Sequence, residues 1–173
     1  MFRSAPILTL LVFFVATSFA QAETSDLAKT KVFTEMLLKV DKLVCKDPEK
    51  IREFYLPDKS LVLLVDDKRT LLENRISGYR SMMSEFKGLK CNSQRKILAG
   101  KVGQDVGYLL ADEIGSIVSD NTDNEERQHS VCSYVFTLDE KAWKISLEHC
   151  SSLPDYSIRP GDDALYYFHN PVY

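Results

Sequence analysis

The sequence predicts an α+β domain in which helices pack on the concave face of a curved antiparallel sheet, giving a cone. Three observations carry that expectation. The first half holds two amphipathic helical stripes with a short apolar run between them, and the second half holds four strand-like runs joined by short connections. The last of these, WKISLEHCSSLP at 143–154, alternates Trp143, Ile145, Leu147 and His149 against Lys144, Ser146, Glu148 and Cys150. Strand side chains alternate between faces, so this pattern predicts a half-buried strand whose last inward residue is an imidazole.

From Leu27 to Val44, apolar residues recur at Val32, Phe33, Met36, Leu37, Val40, Leu43 and Val44. That i, i+3, i+4, i+7 spacing predicts an amphipathic helix with one buried stripe. Asp47-Pro48 opens a short second helix to about Tyr55, with Asp47 as N-cap and Pro48 in the first turn, and Pro57-Asp58 breaks it. The run SLVLLVD at 60–66 predicts a strand; Asp66-Asp67-Lys68 turns and Thr70-Leu71-Leu72 returns. Asn74 to Phe86 again shows helical spacing through Ile76, Tyr79, Met82, Met83 and Phe86, and Gly88 closes it. Four strands follow over 93–101, 106–119, 128–138 and 142–151, separated by Gly103-Gln104-Asp105, the acidic 120–126 segment and Asp139-Glu140-Lys141. Short connections between successive strands favour an antiparallel meander. The 120–126 segment lacks the oxygen spacing of a calcium-binding loop and reads as a solvated hairpin tip.

The N-terminus predicts export. Arg3 precedes an apolar run from Ile7 to Phe19, and Ala20-Gln21-Ala22 fits a small-x-small cleavage site, so 1–22 is read as a cleavable signal peptide. The run is shorter than the ~20 residues of a membrane helix, which leaves no membrane role after cleavage. Removing 22 of the 173 residues leaves 151, suited to one domain over 23–154 plus a tail over 155–173. Losing Arg3 leaves 21 basic against 25 acidic side chains, a net charge of −4. A mildly acidic chain with no basic stripe is not expected to hold nucleic acid. The localisation expected is secreted or periplasmic.

Four cysteines, Cys45, Cys91, Cys132 and Cys150, allow three pairings in an oxidising compartment, and no C-x-x-C is present. With a two-residue loop at Asp139-Glu140, Cys132 opposes Leu147 while Cys150 points to the other face; a three-residue loop leaves the two cysteines diagonal. That register disfavours Cys132–Cys150 and leans towards Cys45–Cys91.

The stretches LLKVDKLVCKDPEKIREFYLPDKSLVLLVDD, GQDVGYLLADE and WKISLEHCSSLP resemble the nuclear transport factor 2-like superfamily, and within it the SnoaL-like domains. The last stretch is similar to their W-x-I-x-x-x-H-x-S ending. The resemblance runs from about Leu27 to Pro154 by pattern, without a diagnostic catalytic motif. The glycine usual ahead of the third helix is missing near Asn74, and the tail is extra. It contains Tyr156, Tyr166, Tyr167, Phe168 and Tyr173, an aromatic content that disordered segments lack, so docking on the domain or a partner is expected.

The resemblance implies that the inward face of the last strand lines the cone's cavity, with His149 near its mouth as a general acid or base. The commoner role for such an imidazole is a satisfied core residue. Asp112 and Glu113 interrupt the apolar run Tyr108–Ala111, so one of the two points inward. An acid in an apolar cavity has a raised pKa and shuttles protons, which makes Asp112 the second candidate. Tyr79, Tyr108 and Tyr134 supply the phenols that accompany such an acid in the superfamily's ketosteroid isomerase. Together with Trp143, Leu147 and His149 they are the expected ligand-binding residues. His129, on the strand before that of His149, could join it in a metal site with His169 or Asp162-Asp163, but no ligand spacing supports one. No cofactor is expected, and neither a nucleophile elbow nor a phosphate loop occurs.

Three functions remain open. The first is an exported binding module that holds a small apolar molecule or a partner's segment in its cone. The second is a cofactor-independent isomerase, cyclase or dehydratase using His149 and Asp112. The third is a homodimeric assembly module, although Lys144, Ser146 and Glu148 make one strand of the presumed outer face polar. Fold alone does not choose among them.

Overall fold

The structure is a computed structural model and describes residues 28–120 and 126–153. The expected signal peptide, the tail with His169, Asp162 and Asp163, and most of the acidic 120–126 segment lie outside the described residues.

Helix α1 spans Lys31–Val44 and buries Phe33, Leu37 and Val40, the stripe expected from the spacing. Pro48–Phe54 follows as the short second helix expected, in 3-10 form, as suits a seven-residue piece started by proline. Strands β1 (Val62–Val65) and β2 (Lys68–Thr70) form a hairpin, with Asp66 and Asp67 both at positive φ in its two-residue turn. That turn matches strand twist and tolerates aspartate. Helix α2 (Leu72–Glu85) starts two residues earlier than its apolar spacing suggests, because the Leu72 N–H donates to the Asp58 side chain at 3.3 Å. This cap arrives from a different segment, so no local signal announces it. Gly88, at φ 62°, ends the passage into the sheet.

Strands β3 (Lys90–Val102), β4 (Val106–Val118), β5 (Glu126–Asp139) and β6 (Ala142–Ser152) form the expected antiparallel meander. The sheet order is β2-β1-β6-β5-β4-β3. One pairing departs from the all-antiparallel expectation: β1 runs parallel to β6, so the sheet is mixed. A parallel neighbour requires a long crossover, and here α2 with the meander supplies it.

The core lies between α1, the 3-10 helix, α2 and the concave face of the sheet. Phe33 stacks on Phe136 with ring centroids 4.0 Å apart and meets Trp143 edge-on at 5.1 Å. Leu37, Ile51, Leu63, Ile76, Leu109 and Ile145 are buried around them. Gly107 lets the sheet approach closely, since a Cβ there would sit 2.4 Å from the Phe33 ring.

Two register shifts shape the sheet. In β3 the extra residue is Leu98, between the pairs Ile97–Ala111 and Ala99–Leu110. In β6 it is Ser146: Phe136 pairs with Ile145, but Val135 pairs with Leu147. Ser146 is held in the bulge by a bond from its Oγ to the Val135 carbonyl at 3.2 Å, and its Oγ also receives the Thr137 hydroxyl at 2.9 Å. A bulge advances the chain one residue without advancing its partner, so every side chain beyond it changes face. Trp143 and Ile145 point inward as expected, but after Ser146 the inward residues are Glu148 and Cys150, and Leu147 and His149 face out.

Both disulfides follow this geometry. Cys45–Cys91 ties the end of α1 to the start of β3, the pairing favoured by the sequence. Cys132–Cys150 also forms, contrary to expectation. The hairpin loop is two residues long, Glu140-Lys141, but the Ser146 bulge adds the one position that brings Cys150 directly opposite Cys132.

Candidate functional site

A cavity of about 660 Å³ opens on the concave side, at the end of the sheet where β6 finishes. Its floor is set by buried Leu37, Tyr55 and Tyr134, and exposed Asn92, Arg127 and Gln128 stand at its mouth. Val40, Val44, Val65 and Ile117 supply apolar wall, and the Cys132–Cys150 bridge forms part of the β5–β6 side.

Two charged clusters lie in the cavity. In the first, Glu113 on β4 receives Arg95 Nε at 2.5 Å and Nη2 at 3.1 Å, one guanidinium engaging both carboxylate oxygens. The Tyr134 hydroxyl donates to the same carboxylate at 3.0 Å, and Arg95 reaches Asp41 of α1 at 3.1 and 3.3 Å. The Arg95 side chain is only 4% exposed, so the network replaces water almost completely around this charge. In the second cluster, Glu148 on β6 accepts the Tyr55 hydroxyl at 2.6 Å and Arg75 Nη1 of α2 at 2.7 Å. This one carboxylate fastens the 3-10 end and α2 to the sheet. A bidentate guanidinium and charge-assisted phenol bonds are the strong class of hydrogen bond.

Burial raises the pKa of Tyr55, Tyr79 and Tyr134, with nearby carboxylate charge adding to the rise at each. All three line the cavity as neutral phenols near neutral pH. Burial by itself would lower the Arg75 and Arg95 pKa values, but their acidic partners outweigh it and hold both above the ordinary arginine range. Both oxygens of Glu113 and of Glu148 already accept hydrogen bonds from arginine and tyrosine donors.

The expected site residues separate into two groups. Tyr79 and Tyr134 line the cavity. Trp143 points inward but packs on Phe33 in the core and does not line it. His149, Asp112, Tyr108 and Leu147 do not reach it. Leu147 and His149 are turned out by the Ser146 bulge, and His149 meets Ser151 Oγ at 3.4 Å. On β4 the inward phase is carried by Leu109, Ala111 and Glu113, so Asp112 and the 46% exposed Tyr108 lie on the convex side. There Asp112 pairs with His129 Nε2. His129 is not opposite His149: its carbonyl accepts the Leu153 N–H at 2.8 Å, four residues further on. Among the described residues no group of three His, Cys, Asp or Glu side chains is placed to hold a metal.

Of the residues that do charge the cavity, Arg75, Arg95 and Asp41 were not singled out as site residues from the sequence, Glu113 entered only as the neighbour of Asp112, and Glu148, expected on the outer face, is turned inward by the Ser146 bulge. Arg95 and Glu113 are brought opposite each other by the Leu98 bulge, since the register next to the turn, with Val102 opposite Gly107, would set Arg95 against Ile114. No local signal existed for Arg75 with Glu148, which lie 73 residues apart.

With this architecture in view, solved structures share the fold. A nuclear transport factor 2-like superfamily protein from Salmonella enterica is 14% identical, with 77% of this chain and 96% of that one covered, at a TM-score of 0.58. The chain has the nuclear transport factor 2-like fold. A candidate scytalone dehydratase from Novosphingobium aromaticivorans shares it at 10% identity, 77% and 91% coverage and a TM-score of 0.59. A candidate calcium/calmodulin-dependent protein kinase II association domain from Xanthomonas campestris does so at 16% identity, 71% and 86% coverage and 0.54. No protein-family model matches the sequence, and no curated protein matches it. At these identities the nuclear transport factor 2-like likeness shows architecture alone.

Proposed function

We propose that this nuclear transport factor 2-like chain is an exported binding module whose cavity holds a small molecule or partner segment with an apolar body and a polar end. The observation that carries the reading is a cavity of about 660 Å³ that survives the packing of all three helical pieces, within the range of small-ligand sites. Its carboxylates are occupied by arginine and tyrosine donors, which suits a preorganised wall better than proton transfer. Two disulfides fit an oxidising compartment and support export. The dehydratase description of the Novosphingobium relative keeps an enzyme as the rival. Here the proton carriers expected for it, His149 and Asp112, lie on the other side of the sheet.

Native mass spectrometry of the full chain tests the reading. A small molecule should be retained by the parent and by His149→Ala, and lost from Ile117→Trp, which fills the cavity wall. A parent that carries nothing, or an Ile117→Trp protein that keeps its passenger, would sink the proposal.

A second reading has its own observation. Val106, Tyr108 and Ile114 of β4 are 54%, 46% and 41% exposed on the same face of the strand. They support a homodimer through the convex face, compatible with ligand binding on the concave one. Sedimentation should give a dimer for the parent and a monomer for Tyr108→Asp/Ile114→Lys; a monomeric parent removes this reading.

A further inference from the structure

We propose that Gly115 on β4 is the seat of the ligand: a planar ring system lies face down on the bare strand there and turns a hydrogen-bond donor towards the Asp41–Arg95–Glu113 cluster. The seat rests on the binding-module reading and adds to it the class of molecule held. A Cβ built on Gly115 would meet no atom within 4 Å, and its φ lies outside the left-handed region that favours glycine. Neither packing nor backbone asks for glycine here, although glycine in a strand interior costs stability relative to alanine. Elsewhere in the sheet the reason is plain, since a Cβ at Gly100 would strike Leu109 at 2.6 Å and one at Gly107 would strike Phe33 at 2.4 Å. Gly78 also has open space, but it lies exposed on α2, whereas Gly115 lines the cavity. A strand glycine with empty space above it marks a place where something else approaches the backbone.

The neighbours of Gly115 give the shape and polarity of that ligand. Gly115 stands opposite Ser93 of β3 and Gln128 of β5, and both of these also line the cavity. Ser93 and Gly115 make a low floor two strands wide, between Glu113 and Ile117, which lie about 13 Å apart along β4. Val40, Asp41 and Val44 of α1 face the same cavity. A slot with bare strand on one side and a helix on another takes the face of a ring better than a branched body. Towards Glu113, two carboxylates share the single guanidinium of Arg95, which leaves one negative charge over. Arg95 and the Tyr134 hydroxyl give Asp41 and Glu113 five hydrogen bonds together. Each carboxylate can accept about four, so the open capacity is for donors. An amine or amidine edge fits there and a carboxylate edge does not. Towards Ile117 and Val44 the wall is apolar and receives ring carbon.

Fluorescence titration of the full chain tests the seat with two probes of one ring shape, the planar cation 9-aminoacridine and the planar anion anthracene-9-carboxylate. The parent should bind the cation saturably, and the anion more weakly by about tenfold or more. Gly115→Val, which plants a side chain on the floor, should weaken the cation by about tenfold or more. Gly115→Ala should weaken it less and raise the urea midpoint, as expected where a glycine serves a ligand and not the fold. Gly78→Ala should also raise the midpoint and leave binding unchanged. Four results would each overturn the proposal: no saturable binding of the cation, equal binding of the anion, parent-like binding by Gly115→Val, or a urea midpoint for Gly115→Ala below that of the parent. Native mass spectrometry keeps the two readings apart. A passenger lost from Ile117→Trp but kept by Gly115→Val removes the seat and leaves the binding module standing.

Discussion

Tyr134 shows how one residue joins core, charge and cavity. Its ring packs near Phe136 with centroids 6.2 Å apart, and its hydroxyl donates to Glu113. Removing that hydroxyl leaves a buried carboxylate with one donor fewer, so Tyr134→Phe should cost about 1–3 kcal/mol in a urea titration. The pH dependence has a defined sign. The folded-state ionisation of Tyr134 and Tyr55 lies above the unfolded value, so their contribution is complete below about pH 10 and is lost as pH rises through the folded values. The parent's stability should therefore fall on the alkaline side, and Tyr134→Phe should shallow that fall; an unchanged alkaline limb would disprove the assignment. Arg95 is at the opposite extreme of tolerance, because its loss would strand Glu113 and Asp41 together.

Among elements, β6 decides the most. Its first half follows the alternation read from Trp143 and Ile145, and its second half is inverted by a single serine. Deleting Ser146 should close the bulge and leave every residue beyond it in its present register and face, because Leu147 then follows Ile145 directly, opposite Val135 and Phe136. The expected result is a retained Cys132–Cys150 bridge, seen as no alkylatable thiol in the variant or in the parent. Two alkylatable thiols in the deletion variant would contradict the role given to the bulge. The β1–β2 hairpin is a subordinate element that uses β6 as its template: Asp66 accepts from Ser152, and Val65 is parallel to Cys150. Without β6 two strands of four and three residues would have no independent stability.

At the scale of the whole molecule, two bridges brace one cavity from different sides. Cys45–Cys91 closes a separation of 46 residues and joins a helix to the sheet; Cys132–Cys150 closes 18 and joins two strands. Each should contribute about 3–4 kcal/mol on the chain-entropy account. Reduction with a phosphine should lower the melting temperature markedly, and Cys45→Ser/Cys91→Ser should lower it at least as far as Cys132→Ser/Cys150→Ser, because it opens the longer loop. The reverse order would show that native packing, and not chain entropy, sets their value. The two arginine clusters complete the bracing, since Arg95 links β3 to α1 and Arg75 links α2 to β6.

The sequence by itself determined the elements and the class of fold. Helical stripes at Phe33–Val40 and around Ile76 and the meander from Lys90 to Ser152 follow from local periodicity, which the backbone period enforces wherever one face is buried. The Cys45–Cys91 pairing and the inward side of Tyr134 were within reach of the same reasoning. Tertiary structure alone decided which face carried the chemistry. The parallel seat of β1, the Asp58 cap on α2 and the Arg75–Glu148 pair join residues far apart in the chain, and no local pattern encodes them. The Ser146 bulge is local but silent, because its cost is met by contacts with Val135 and Thr137 on the next strand. One extra residue there turns His149 out of the cavity and puts Glu148 in.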